Sequence, residues 1–218
     1  MSLFKIASIL GYIIGIAATI GLIRFNKLQK AYQPFIFIVT LTFINHVLSL
    51  QLVKSSGTNV VNANIFVLIE SVLYTTLFYN WGLFKKRKPL FFVLLILILS
   101  TWILDNCILN TIYTTNSLFR IVSSFILVFL SIEQLNVLIV TAKRNVLYNS
   151  IFLICCGLLI YYSFKATIEV FFFIRLKASV AFYTNIFAIL VYLNLVVNFI
   201  FIWATIWIPR RQKFTLLH

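Results

Sequence analysis

Seven apolar runs, each about twenty residues long or longer, follow one another along this chain, and no connector between them exceeds ten residues. The runs cover 3–24, 34–53, 60–84, 89–109, 117–141, 149–174 and 178–208. A helix needs about 20 apolar residues to cross the hydrocarbon of a bilayer. Within that layer every backbone N–H and C=O must be paired inside the protein, which leaves helices as the economical solution for single runs. Of the 218 residues, 62% are hydrophobic and 10% charged. A soluble domain has roughly 45–50% and about 25%. The expected fold is therefore all-α, a polytopic bundle of about seven transmembrane helices forming a single domain over 1–218. The seventh run is overlong, which predicts a tilted helix or one that extends past the lipid.

The formal net charge is +14, from 18 Lys and Arg against 4 Asp and Glu. The cations cluster in the connectors, so they point to the membrane surface and anionic lipid headgroups rather than to nucleic acid. One set of span ends carries twelve: Arg24, Lys27, Lys30, Lys85, Lys86, Arg87, Lys88, Lys143, Arg144, Arg210, Arg211 and Lys213. The other carries four: Lys5, Lys54, Arg175 and Lys177. Loops rich in Lys and Arg stay in the cytoplasm. This predicts an outside N-terminus and a cytoplasmic C-terminus, in a bacterial inner membrane. The apolar stretch 6–23 is longer than a signal-peptide core and has more positive charge after it than before it, which reads as a retained first helix.

Pro34, Pro89 and Pro209 all stand at span boundaries, so the spans are expected to be unkinked. Cys107, Cys155 and Cys156 lie in or beside apolar runs without metal or disulfide spacing and read as buried small hydrophobes. Ala7, Gly11, Gly15 and Ala18 share nearly one face of the first span, which allows close helix approach. That face serves either packing within the bundle or a second protein.

All four acids, Glu70, Asp105, Glu133 and Glu169, lie inside spans. A charge at the bilayer centre costs about 2.5–3.5 kcal/mol on insertion scales, so such residues face the interior, pair, and mark candidate sites. Helical phase puts Glu70 and Tyr74 on one stripe of the third span, and Tyr162, Lys165 and Glu169 on one face of the sixth. Arg120, Ser124, Ser131 and Gln134 share a face of the fifth, with Glu133 and Asn136 pointing elsewhere. His46 lies on a polar face of the second span. Asn194 and Asn198 share a side of the seventh. The alternating topology places Glu70 near the midplane, His46 and Lys165 slightly outward, Asp105, Arg120 and Glu169 toward the outer surface, and Glu133 in the cytoplasmic half. The expectation is a polar pocket in the outer half reaching inward to Glu70. Lys165 would pair with Glu169 or Glu70, and Arg120 with Asp105. These pairs serve a ligand, ion or switch site, or else only hold helices together. Buried ion pairs often contribute little net stability after desolvation, which favours the former.

The chain has no HExxH, P-loop or G-x-S-x-G motif, and its two histidines, His46 and His218, are far apart. The seventh span has no lysine for a retinal Schiff base. Glu70 and Lys165 could act as acid and base, but the reading is non-enzymatic, with no cofactor and no metal.

Several stretches carry a resemblance: LIESVLYTTLFYNW at 68–81, Arg120 opening the fifth span, GLLIYYSF at 157–164, and LNLVVNFIFIWATIWIPRR at 193–211. Together they resemble an uncharacterised family of small seven-helix membrane proteins from Bacteroidetes-type bacteria. In that family a Ser-Gly often follows the sixth-span aromatics, where this chain has Phe164 and Lys165, and a His is common where it has Asn194. The resemblance implies fold and topology, with no assigned activity.

The function these features suggest is a sensor or receptor-like module that works through a protein partner or as a homo-oligomer. The alternatives are a small-solute or ion transporter or channel using the same carboxylates, and an accessory assembly subunit.

Overall fold

The computed structural model describes residues 3–141, 148–174 and 179–211. Lys143, Arg144, Arg175, Lys177 and Lys213, used in the charge count, lie outside the described residues. Seven helices are long and apolar enough to cross a membrane, and among the described residues there is no strand. The chain is a multi-pass membrane protein.

The first span consists of α1 (Leu3–Gly11) and α2 (Ile14–Arg24). The others are α3 (Gln33–Ser56), α4 (Val60–Asn80), α5 (Lys88–Ile103, continued by a π-helical segment, Leu104–Leu109), α6 (Ser117–Thr141), α7 (Ser150–Phe173) and α8 (Val180–Trp207). Pro34 and Pro89 occupy first-turn positions of α3 and α5, where a missing N–H has no helical partner to lose. Gly57 ends α3 at φ +74°, the left-handed conformation a helix stop requires. The third span is shorter than expected: α4 stops at Asn80 and the chain turns through Gly82 at φ +87°.

The expectation of unkinked spans fails twice without a proline. In the first span the Tyr12 N–H bonds the Ile9 carbonyl, 3.2 Å, one residue short of helical register. The Ser8 carbonyl, its regular partner, instead accepts from His46 Nε2 of α3 at 2.9 Å. A carbonyl only accepts, so Nε2 carries the proton. The imidazole lies flat on Gly11, where any Cβ would overlap it. Gly15 meets Phe43 in the same way. The glycines of the small-residue face are therefore spent on packing α1 and α2 against α3. The second departure, at Leu104–Leu109, swings Asp105 toward the start of α6.

Packing order round the bundle is α2, α3, α4, α6, α7, α8 and back to α2, with α5 outside against α4 and α6. The ring encloses an apolar layer at the end that carries Arg24, Lys85 and Arg210. Phe35, Leu77, Phe78, Leu127, Ile154 and Ala204 are fully buried there or just beneath the bundle centre. Two of its hydroxyls are satisfied within their own helices, Thr75 donating to the Ser71 carbonyl at 2.8 Å and Thr205 to the Phe201 carbonyl at 2.7 Å, whereas Trp81 Nε1, Gln134 Oε1 and Ser150 Oγ toward the same end are buried without a partner. A clip closes this basic end. The Arg211 N–H bonds the Lys27 carbonyl at 2.8 Å, the Gln29 N–H bonds the Pro209 carbonyl at 3.1 Å, and the Arg24 guanidinium donates to the carbonyls of Thr205, Ile206 and Ile208 at 2.8–3.1 Å. The last carbonyls of α8 have no intrahelical donor, and a cation at a helix C-terminus also complements its dipole.

Candidate functional site

A cavity of about 460 Å³ lies inside the ring, within the size range of small-ligand sites. It extends from Asn59, at the turn between α3 and α4, to Phe201 and Leu158 on top of the apolar layer. Glu70 stands ten residues into α4, about 15 Å from its start at 1.5 Å per residue. Helices α2, α3, α4, α6, α7 and α8 all contribute to the wall.

Two ion pairs cross it. Lys165 Nζ of α7 is 3.8 Å from Glu70 Oε2 of α4, and Arg120 Nη1 of α6 is 3.4 Å from Glu169 Oε1 of α7. Lys165 and Glu169 are one helical turn apart, so the charges alternate in sign: Glu70, Lys165, Glu169, Arg120. Both pairs are long. Charge-assisted N–H···O bonds run about 2.7–2.9 Å, so neither pair is drawn to its closest geometry. The Lys165 ammonium also stands 5.5 Å from the Tyr161 ring centre and 5.2 Å from that of Tyr162, within cation–π range. Tyr74 meets Tyr162 edge to face, with centroids 6.0 Å apart and planes at 84°. These tyrosines fix the wall around Glu70.

Three buried polar atoms beside these pairs have no hydrogen-bond partner: Arg120 Nε, Glu169 Oε2 and the Tyr162 hydroxyl. The hydroxyl lies beside the Glu70 carboxylate without regular hydrogen-bond geometry. Buried polar groups are nearly always paired, and each exception calls for a reason.

Glu70, Tyr74, Tyr162, Lys165, Glu169, Arg120, His46, Asn194 and Asn198 all line this cavity. Helical phase places them on one face of each helix separately, and the packing of the helices brings these faces together. Two acids do not join them. Asp105 is buried, 1% exposed, but pairs with neither Arg120 nor the cavity. Its Oδ2 accepts from the Phe119 N–H at 2.7 Å and its Oδ1 from Asn110 Nδ2 at 3.0 Å. The π-helical turn delivers it to the first turn of α6, whose free N–H groups attract a carboxylate. The expected Arg120–Asp105 pair is thus replaced by Arg120–Glu169. Glu133 is exposed on the outer surface of α6 beside Asn136 and has no ion pair among the described residues. The assumption that every acid in a span faces inward fails for it.

His46 reaches the wall, but its Nε2 is committed to the Ser8 carbonyl. Two residues of the site were missed by sequence reasoning. Tyr161 shares the Lys165 ammonium with its neighbour. Asn64 is 3% exposed, and its Oδ1 accepts from Arg120 Nη2 at 3.0 Å while its Nδ2 donates to the carbonyls of Ile112 and Thr114. It holds the guanidinium in place. The available signal was an amide inside an apolar run.

The three cysteines are free; Cys155 is buried, Cys156 is half-buried, and Cys107 is exposed, against the reading of all three as buried. No family model, curated protein or solved structure matches the chain.

Proposed function

We propose that this protein is a receptor-like module of a bacterial inner membrane, which binds a small polar ligand in the central cavity and passes the bound state to a protein partner. The observation that carries the reading is the pairing of a polar cavity, holding two slack ion pairs and three unpartnered polar atoms, with a predominantly apolar layer beneath it, in which Gln134 and a few hydroxyls are the buried polar groups. With the N-terminus outside, as the positive-inside rule assigns, the cavity faces outward and its floor shields the cytoplasm. Asp105 and Glu133, which a transmembrane relay would have used, lie off the axis, one as a helix cap and one on the outer surface. A bilayer with anionic headgroups on the cytoplasmic side would hold the Arg24, Lys27 and Lys85–Arg87 surface in place.

The test is flux through the reconstituted protein. Proteoliposomes loaded with a pH dye, and separately with a self-quenching solute, should leak no faster than empty liposomes when an amino-acid, sugar or ion gradient is applied. Saturable flux abolished by Glu70→Gln would overturn the receptor reading and establish the transporter or channel.

A further inference from the structure

Resting on the reading of this cavity as a ligand site, we infer that its ligand class is the small zwitterion: a compact molecule or headgroup that carries an ammonium together with a carboxylate or phosphate.

The first argument is charge balance. Glu70, Lys165, Glu169 and Arg120 sum to zero and alternate in sign. In a low-dielectric site an uncompensated charge is costly. A lone anion entering here meets Glu70 and Glu169 as well as the two cations, and a lone cation meets the opposite conflict. A zwitterion adds no net charge and offers each sign to its complement. Its anionic end would lie against Arg120 and Lys165, and its ammonium against Glu169 and Glu70.

The second argument is the unmet hydrogen-bonding capacity. The unpartnered atoms include a donor, Arg120 Nε, an acceptor, Glu169 Oε2, and the Tyr162 hydroxyl, which is both. Glu169 and Tyr162 are 8% and 2% exposed, so bulk water does not serve them freely. An oxyanion accepts from the first, an ammonium donates to the second, and either engages the third. A neutral polyol could use the donor and acceptor but has no formal charge to set against either ion pair.

The third argument is the wall. Tyr161 and Tyr162 already hold an ammonium, that of Lys165, at cation–π distance. The Lys165–Glu70 separation of 3.8 Å lets the Lys165 ammonium move toward an entering carboxylate while the ligand's ammonium takes its place near Glu70.

The test uses the full chain in nanodiscs of phosphatidylglycerol, which supplies no ammonium. Thermal unfolding is followed with each proteinogenic α-amino acid, glycine betaine, methylamine, acetate and glucose. At least one zwitterion should raise the melting temperature saturably and bind at least about tenfold more tightly than methylamine or acetate alone. Glu169→Gln and Arg120→Gln should each weaken that binding by about tenfold or more. Tyr162→Phe, which removes one oxygen and keeps the ring, should weaken it by about two- to tenfold with the fold intact, the value of one hydrogen bond. A parallel set in phosphatidylethanolamine separates the sources: a raised melting temperature there, with loss of amino-acid binding, assigns the site to a lipid headgroup of the same chemistry. If neither free zwitterions nor phosphatidylethanolamine stabilise the protein, or if methylamine or acetate binds as tightly, the inference is wrong. Stabilisation by glucose alone overturns the zwitterion while leaving the cavity a ligand site.

Discussion

The Lys165 ammonium stands 3.8 Å from the Glu70 carboxylate, close enough to neutralise it and too far for a hydrogen bond. Helices α4 and α7, which also touch through the Tyr74 and Tyr162 rings, are thus coupled by charge without being locked. A pair kept for rigidity would be expected at shorter range, with its remaining hydrogen-bonding capacity satisfied.

Replacing Lys165 with Met strands the Glu70 carboxyl, which then binds a proton and stays buried. Breaking a buried pair costs about 3–5 kcal/mol when the remaining charge persists. Protonation relieves it, so the expected loss is below about 3 kcal/mol in chemical or thermal unfolding. A new protonated-carboxyl band should appear in the infrared spectrum and vanish in Lys165→Met/Glu70→Gln. The double change Glu70→Gln/Glu169→Gln should likewise keep the fold while ligand binding fails. Loss of fold and binding in proportion would make the network a structural clasp.

Asp105 and Glu133 should behave unlike Glu70 despite similar positions in the sequence pattern. Asp105→Ala removes the acceptor for the Phe119 N–H and should cost about 0.5–2 kcal/mol, the range for lost helix caps, without altering ligand binding. Glu133→Leu on the exposed face of α6 should leave unfolding within about 0.5 kcal/mol of the parent or raise it, since a carboxylate is relieved from the lipid surface. Thermal unfolding and binding measured on the same preparations separate these roles.

The basic end offers an independent check on the fold. Arg24→Met leaves the carbonyls of Thr205, Ile206 and Ile208 without their donor and should cost about 1–3 kcal/mol. Arg24→Lys should recover only part, because one ammonium cannot reproduce a planar fork. Hydrogen exchange at the clip residues Gln29 and Arg211 should rise in Arg24→Met.

Much of this arrangement is legible in the sequence because lipid imposes a simple grammar. Length and hydropathy reveal the seven spans, and phase puts Tyr162 and Lys165 on one face of their helix, while the choice of Glu70 over Glu169 as the lysine's partner comes from the packing. What phase cannot reveal is a change of helical register. The π-helical turn at Leu104–Leu109 carries Asp105 to a cap, so Arg120 turns to Glu169. His46 similarly opens the first span by taking the Ser8 carbonyl from 38 residues away. Arg24 and its α8 carbonyls are separated by more than 180 residues, and no local signal announces such a contact. Glu133 shows the converse limit: a charge inside an apolar run is not always an interior one, particularly where three or four side chains of the same helix already fill the inner face.

Cysteine accessibility tests most directly whether the cavity opens to one side and is floored on the other. In a background of Cys107→Ser, Cys155→Ala and Cys156→Ala, a small charged methanethiosulfonate reagent is applied to Asn59→Cys at the mouth and Asn198→Cys within the cavity. Labelling is compared between spheroplasts and inverted membrane vesicles. Both positions should react in spheroplasts, and Asn198→Cys should stay unreactive in inverted vesicles. Reaction of Asn198→Cys from the cytoplasmic side, at a rate comparable to that in spheroplasts, would show a path through the apolar layer and contradict the account.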